Sequence, residues 1–141
     1  MLMSIGHIDD LPVLDKDTAI KQLGDLDLFV TMMEGFEDMS LRKNLTSLKI
    51  ALDELDYFNI RLQAHSLKGC SSYLRAERVR LVAEKLQSDV DKQQVEAVFK
   101  DYPILLKQCI ILKKAIRFES CKKNRTTPFI IFRDPVRGRR G

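Results

Sequence analysis

Apolar residues recur at alternating three- and four-residue intervals along most of this chain, and that spacing admits little besides helices packed on one another. Leu41, Leu45, Leu48, Leu52 and Leu55 form one such row. Ile60, Ala64, Leu67, Ser71 and Leu74 form a second, apolar apart from a small serine. Ala76, Val79, Ala83, Leu86 and Val90 form a third, with Val82 on its flank. Val95, Val98, Phe99, Tyr102, Leu106, Cys109, Ile110, Lys113 and Ile116 carry a fourth to about Phe118. At 100° per residue each row is one face of an amphipathic helix. Four such helices with short connections predict an all-α fold, an antiparallel up-down four-helix bundle.

Boundaries follow from local chemistry. Asp15 is a cap for a short helix to Gln22, which Gly24 breaks. Asp25 or Asp27 then opens a segment over Leu28–Met39, whose Leu28, Phe29, Met32, Met33 and Phe36 read as core. These are the one or two short N-terminal helices expected beside the bundle. Ser40 is positioned to cap the next helix. Asp53, Glu54 and Asp56 oppose a helix dipole and predict its end, with a tight connection over Asp56–Asn59. Asp91 is expected to cap the last long helix, and Pro103 to kink or break it.

Composition narrows the class. Residues 1–116 hold 16 Lys and Arg against 18 Asp and Glu, whereas residues 117–141 hold 8 against 2. The formal charge of +4 is therefore a property of the last 25 residues and not of the helical part. The three cysteines, Cys70, Cys109 and Cys121, have neither zinc-ligand spacing nor an even count. Free thiols suggest a reducing compartment, and no apolar run approaches a membrane span. The beginning of the chain lacks the pattern of a secretory leader, so a cytoplasmic or nuclear location is expected, with no membrane partner. The boundary expected here is a helical domain over 1–118 and a basic tail over 119–141, containing the apolar run Phe129–Phe132.

One stretch stands apart: R-L-Q-A-H-S-L-K-G-C-S-S-Y-L-R-A, Arg61 to Ala76. Arg61, His65, Lys68, Gly69 and Ser72 lie on a second face of this helix, roughly 120° from its apolar row. A glycine inside a helix costs about 1 kcal/mol relative to alanine, and on an exposed face no packing offsets that cost. It leaves the imidazole unshielded on its C-terminal side. Lys68, one turn on, can reach an anion held at His65. By itself an exposed histidine is a solvated side chain, as His7 is read to be. A nucleophilic imidazole with a neighbouring cation and a cleared approach suits accepting a phosphoryl group.

The string A-H-S-L-K-G-C-S-S-Y-L-R-A resembles the signature of histidine-containing phosphotransfer (HPt) domains, roughly A-H-x-L-K-G-S-(S/A)-x-x-(L/I/V)-G-A. Ala64, His65, Leu67, Lys68, Gly69, Ser71, Leu74 and Ala76 match. Cys70 stands for a common Ser, and Arg75 for the usual Gly. The resemblance extends to the helical layout over about residues 10–118. It implies that His65 is the phosphoacceptor, that Lys68 stabilises the added charge, and that a glutamine 22 residues on, here Gln87, bonds the other ring nitrogen. It implies a phosphocarrier and not an enzyme with its own ATP site. It also implies relay between aspartates of receiver domains in hybrid histidine kinases and response regulators. No cofactor is expected, the receiver supplying Mg²⁺, and the protein is expected to be a monomer.

Arg61, Gly69, Ser72, Arg75 and Arg78 are the expected partner-binding residues. Arg75 is expected to keep ordinary geometry, the helix running past residue 74 or restarting at 75, and to point its guanidinium outward. No nucleotide-binding loop or kinase signature occurs in the sequence. Two other readings stay open at this level: an adaptor that binds receivers with weak or lost transfer, and nucleic-acid binding through the basic tail, the latter not expected.

Overall fold

The row Ile60, Ala64, Leu67, Ser71 and Leu74 is buried throughout, and the remaining helices are arranged around it. The computed structural model describes residues 5–125. Its elements are a 3-10 segment Ile5–Asp10, then α1 (Lys16–Leu23), α2 (Leu26–Gly35), a π-helical turn Phe36–Leu41, α3 (Arg42–Asp53), α4 (Tyr57–Leu74), α5 (Glu77–Asp91) and α6 (Val95–Arg125). No strand occurs among the described residues. α4 packs on α3 and α5, and α5 packs on α6, which gives the expected four-helix bundle. α1, α2 and the 3-10 segment rest against it.

Short caps set the path of the chain. The Asp15 carboxylate accepts from Thr18 N–H at 3.3 Å, Asp25 caps α2 through Asp27 N–H at 2.9 Å, and Asp56 caps α4 through Asn59 N–H at 3.2 Å. Gly24 ends α1 in a left-handed conformation, with φ +82°. Each connection between bundle helices contains one left-handed residue, and none is glycine: Leu55, Arg75 and Gln93.

Ser40 does not cap a helix. α2, the π turn and α3 form one uninterrupted rod, with Gly35, Phe36, Leu41 and Arg42 all in right-handed helical conformation. Residues five apart lie 140° apart on an α-helix. The wider π turn absorbs one extra residue, so that Phe36 and Leu41 both reach the core. Likewise Asp91 ends α5 instead of capping α6, and the chain turns through Gln93. The α3–α4 connection lies at residues 54–56, ahead of the expected Asp56–Asn59, because Asp56 itself is the cap of α4.

α6 departs most from expectation. Pro103 does not break it, and both Pro103 and Phe99, whose carbonyl loses its helical donor, are exposed to solvent. The helix runs to Arg125, past the expected end near Phe118, and its final turns are tied down. Arg117 pairs with Glu37 at 3.1 Å, Lys16 with Glu119 at 3.1 Å, and Ser120 donates to Glu34 at 3.2 Å. The expected tail therefore begins inside this helix, and the run Phe129–Phe132 lies outside the described residues.

The buried face of α6 is Val98, Asp101, Leu105, Gln108, Cys109, Leu112 and Ile116. Phe99 and Ile110, assigned to the core by their spacing, are exposed. Asp101 is buried because Lys85 of α5 reaches it at 3.1 Å while also bonding Asp89 at 2.7 Å. Between α6 and the rod of π turn and α3 lies a groove of about 290 Å³, with Leu41, Leu45, Leu106, Cys109 and Ile110 in its wall beside the charged Glu37, Asp38, Arg42, Lys113 and Arg117. No residue of α4 or α5 lines it.

Candidate functional site

α4 and α5 are antiparallel, and side chains facing across their seam form the site. The apolar row of α4 is sealed against Val79, Val82, Ala83 and Leu86 of α5, so the flanking residues of both helices meet at the surface. His65 is exposed there, and its Nδ1 lies 3.4 Å from Oε1 of Gln87. In the tautomer with its hydrogen on Nδ1 the ring donates to the Gln87 oxygen, and the lone pair is then on Nε2. The 22-residue separation anticipated from the HPt resemblance thus brings the two side chains together.

Lys68 follows His65 by one turn. Its carbonyl accepts from Ser71 Oγ at 3.1 Å and Ser72 Oγ at 2.8 Å, and its ammonium has no hydrogen-bond or ion-pair partner among the described residues. It is a free cation on the turn beside the imidazole. Gly69 is exposed, and a Cβ built there would meet nothing within 4 Å. No packing inside the molecule requires glycine at this position, so the space it leaves open faces outward.

The remaining cations differ from one another. Arg61, one turn before His65, donates from Nε to Asp91 Oδ1 at 2.7 Å, both side chains being about half exposed. Arg78 is not available to a partner: it donates to the carbonyls of Leu11 at 2.8 Å and Asp9 at 3.0 Å, pinning the N-terminal segment to α5.

Arg75 departs from its expected geometry. Its backbone is left-handed, with φ +59° and ψ +38°, and it ends α4 where the family pattern has glycine. The sequence supplies no glycine at that turn, and the chain adopts the turn nevertheless. The Arg75 side chain lies 3.5 Å from Glu77 and does not project freely.

An exposed apolar row went unnoticed in the sequence. Phe58 (74% exposed), Leu62 (47%) and Tyr73 (67%) lie on the same side of α4 as His65 and Gly69. Their signal was present: these residues keep a helical spacing with one another but are out of phase with the Ile60 row. Cys70, on the α3 side, donates to Ser40 Oγ at 3.5 Å. Burial pushes the Cys109 thiol up to about 12, so this side chain is an inert part of the core. Among the described residues no group of three or more His, Cys, Asp or Glu is placed to hold a metal ion, and no helix is long and apolar enough to cross a membrane.

The seam of the helical bundle thus brings together an exposed histidine, a glutamine of the next helix facing it, a lysine one turn on and an unshielded glycine. The Hpt domain family model matches residues 32–113, more than half of the chain, and that span includes His65, Lys68 and Gln87. The chain belongs to the Hpt domain family. Searches of curated proteins and of solved structures gave no match. Hpt domains are phosphocarriers, not kinases, and serve phosphotransfer in two-component phosphorelays, where they meet receiver domains and histidine kinases.

Proposed function

We propose that this protein relays a phosphoryl group between receiver-domain aspartates through Nε2 of His65. The observation that carries the reading is the His65–Gln87 contact at 3.4 Å, which supports a free Nε2 lone pair on an otherwise uncovered turn. The lone pair attacks the phosphorus of a receiver's aspartyl phosphate. The bond from phosphorus to the carboxylate oxygen breaks, and its electron pair leaves with the carboxylate. The imidazole keeps its Nδ1 proton and becomes cationic, so total charge is conserved. Gln87 Oε1 then accepts from a charged donor, a stronger hydrogen bond than before transfer. Lys68 stabilises the phosphoryl oxygens, because phosphoryl transfer depends mainly on positioning and charge.

The receiver supplies the aspartate and Mg²⁺. It docks over Gly69 and Ser72 on the face where Phe58, Leu62 and Tyr73 offer apolar contact, with Arg61 as a steering cation at the edge. Docking at an exposed patch of this kind accounts for large side chains left in water that the bundle does not need.

The test is incubation with a phosphorylated receiver domain and Mg²⁺, followed by mapping of acid-labile label. The wild-type chain and His7→Gln take label, and His65→Gln takes none while keeping its helical circular dichroism. Label retained on His65→Gln rules the assignment out. Docking without label on the wild-type chain leaves the adaptor reading in its place.

A further inference from the structure

Arg61 and Asp91 form the neighbouring rung on the same seam as His65 and Gln87. Arg61 is one turn before His65, and Asp91 is one turn after Gln87 on the antiparallel helix. Asp91 is the last residue of α5, where a carboxylate opposes the dipole. The pair is about half exposed, and exposed pairs contribute little to stability. The seam is already closed by buried side chains on both helices. Stability alone is a weak account of an exposed pair, one member of which opposes its helix dipole, held at 2.7 Å.

Their position suggests another role. Residues four apart on a helix are about 5–6 Å apart at Cβ, so the Arg61 guanidinium, once off Asp91, can reach the space at His65 from one side as Lys68 can from the other. Lys68 has no competing anion among the described residues, whereas Arg61 has Asp91.

We propose that Asp91 is a positioning residue that rations Arg61: it holds the guanidinium in the resting protein and competes for it with the phosphoryl group on His65. The inference rests on His65 being the phosphoacceptor. Asp91 thereby weakens phosphohistidine relative to aspartyl phosphate and favours handing the group on over storing it.

The experiment measures the equilibrium partition of label between a phosphorylated receiver domain and the full chain, for wild type, Asp91→Asn, Arg61→Gln and the double variant. Asp91→Asn shifts the partition toward His65 by about 1.5- to fivefold, the range of an exposed ion pair. Arg61→Gln shifts it the opposite way. In the Arg61→Gln background the Asp91 substitution has no further effect. The Asp91→Asn shift shrinks as salt is raised. Melting curves for all four proteins check that the fold is retained. An unchanged partition in Asp91→Asn, or an equal effect of that substitution with and without Arg61, overturns the proposal. Absence of label on the wild-type chain overturns the relay reading together with this one, whereas label with an unmoved partition overturns this one alone.

Discussion

The carbonyl of Arg75 accepts the backbone N–H of Asp15 at 3.0 Å. Asp15 in turn caps α1, so the turn between α4 and α5 is the point to which the N-terminal cover is fastened. The left-handed backbone of Arg75 also lets the Ala76 N–H reach the Ser71 carbonyl at 2.9 Å, closing α4. Arg75→Gly is expected to stabilise the fold by about 1 kcal/mol, because a left-handed conformation costs a non-glycine residue about 1–2 kcal/mol, while the extra unfolded-chain freedom of glycine cancels part of the gain. Urea denaturation measures it. A loss of stability would mean that the side chain, through Glu77, holds this turn more firmly than its backbone strains it.

Burial, then the neighbouring Asp89, pushes the Asp101 carboxyl up to about 7, against 3.8 for an ordinary aspartate. Burial pushes Asp89 up as well, but hydrogen bonds from Asp101 and Lys85 outweigh it and hold that carboxyl low. One proton is therefore retained on Asp101 in the folded protein between about pH 4 and 7 and released on unfolding. The stability this contributes is complete below pH 3.8 and is lost as pH rises through 7. Unfolding free energy should decline from pH 5 to 8 in the wild-type chain and decline less in Asp101→Asn. Parallel slopes for the two proteins would show that the carboxyl is ionised throughout.

Gly69→Ala should raise stability by about 1 kcal/mol, since the added Cβ meets nothing and alanine is the better helix former. Gly69→Gln should fold equally well and accept phosphate far more slowly from a receiver domain, its side chain occupying the approach to Nε2. Undiminished transfer in Gly69→Gln would place the docking surface elsewhere on α4.

A chain ending at residue 125 is expected to fold and take phosphate as the whole chain does. One ending at residue 115 loses the buried Ile116 and the ties from Arg117, Glu119 and Ser120 to the first two helices and the π turn. Thermal or urea unfolding should show a loss of more than about 2 kcal/mol, the low end for deleting a buried Ile. Equal stability of the two truncations would mean that the last turns of α6 are ornamental to the bundle.

The architecture was largely readable where burial and polarity agree. All five residues of the Ile60–Leu74 row are buried, as are all six of the α5 set with Val82, because there an apolar side chain is simply a core side chain. α6 misled for the opposite reason. It buries Asp101 and Gln108 and exposes Phe99 and Ile110, and a pattern built on hydrophobicity rotates the helix toward its apolar surface. A buried carboxylate held by Lys85, 16 residues earlier, leaves no local trace. The π turn was hidden similarly: Ser40 is a good cap, and only the packing of Phe36 and Leu41 keeps the rod continuous past it. The meeting of His65 with Gln87 across the α4–α5 seam was readable from a linear motif and a fixed separation. The attachment of Arg78 to Asp9 and Leu11 was not, since it spans more than 60 residues of sequence.

The extra residue in the π turn gives the rod a mechanical property that a loop would not have. A loop between cover and bundle could gain or lose a residue and leave both where they are. Here α2 and α3 share one axis, so deleting one residue from Phe36–Leu41 would turn everything before it by about 100° relative to everything after it, like a key cut one notch out of step. Phe29 and Met33, now buried, would be swung away from the core they fill. Chain length in these six residues is therefore a rotational setting, and related chains that differ by one residue here would have to seat their N-terminal helices on a different side of the bundle.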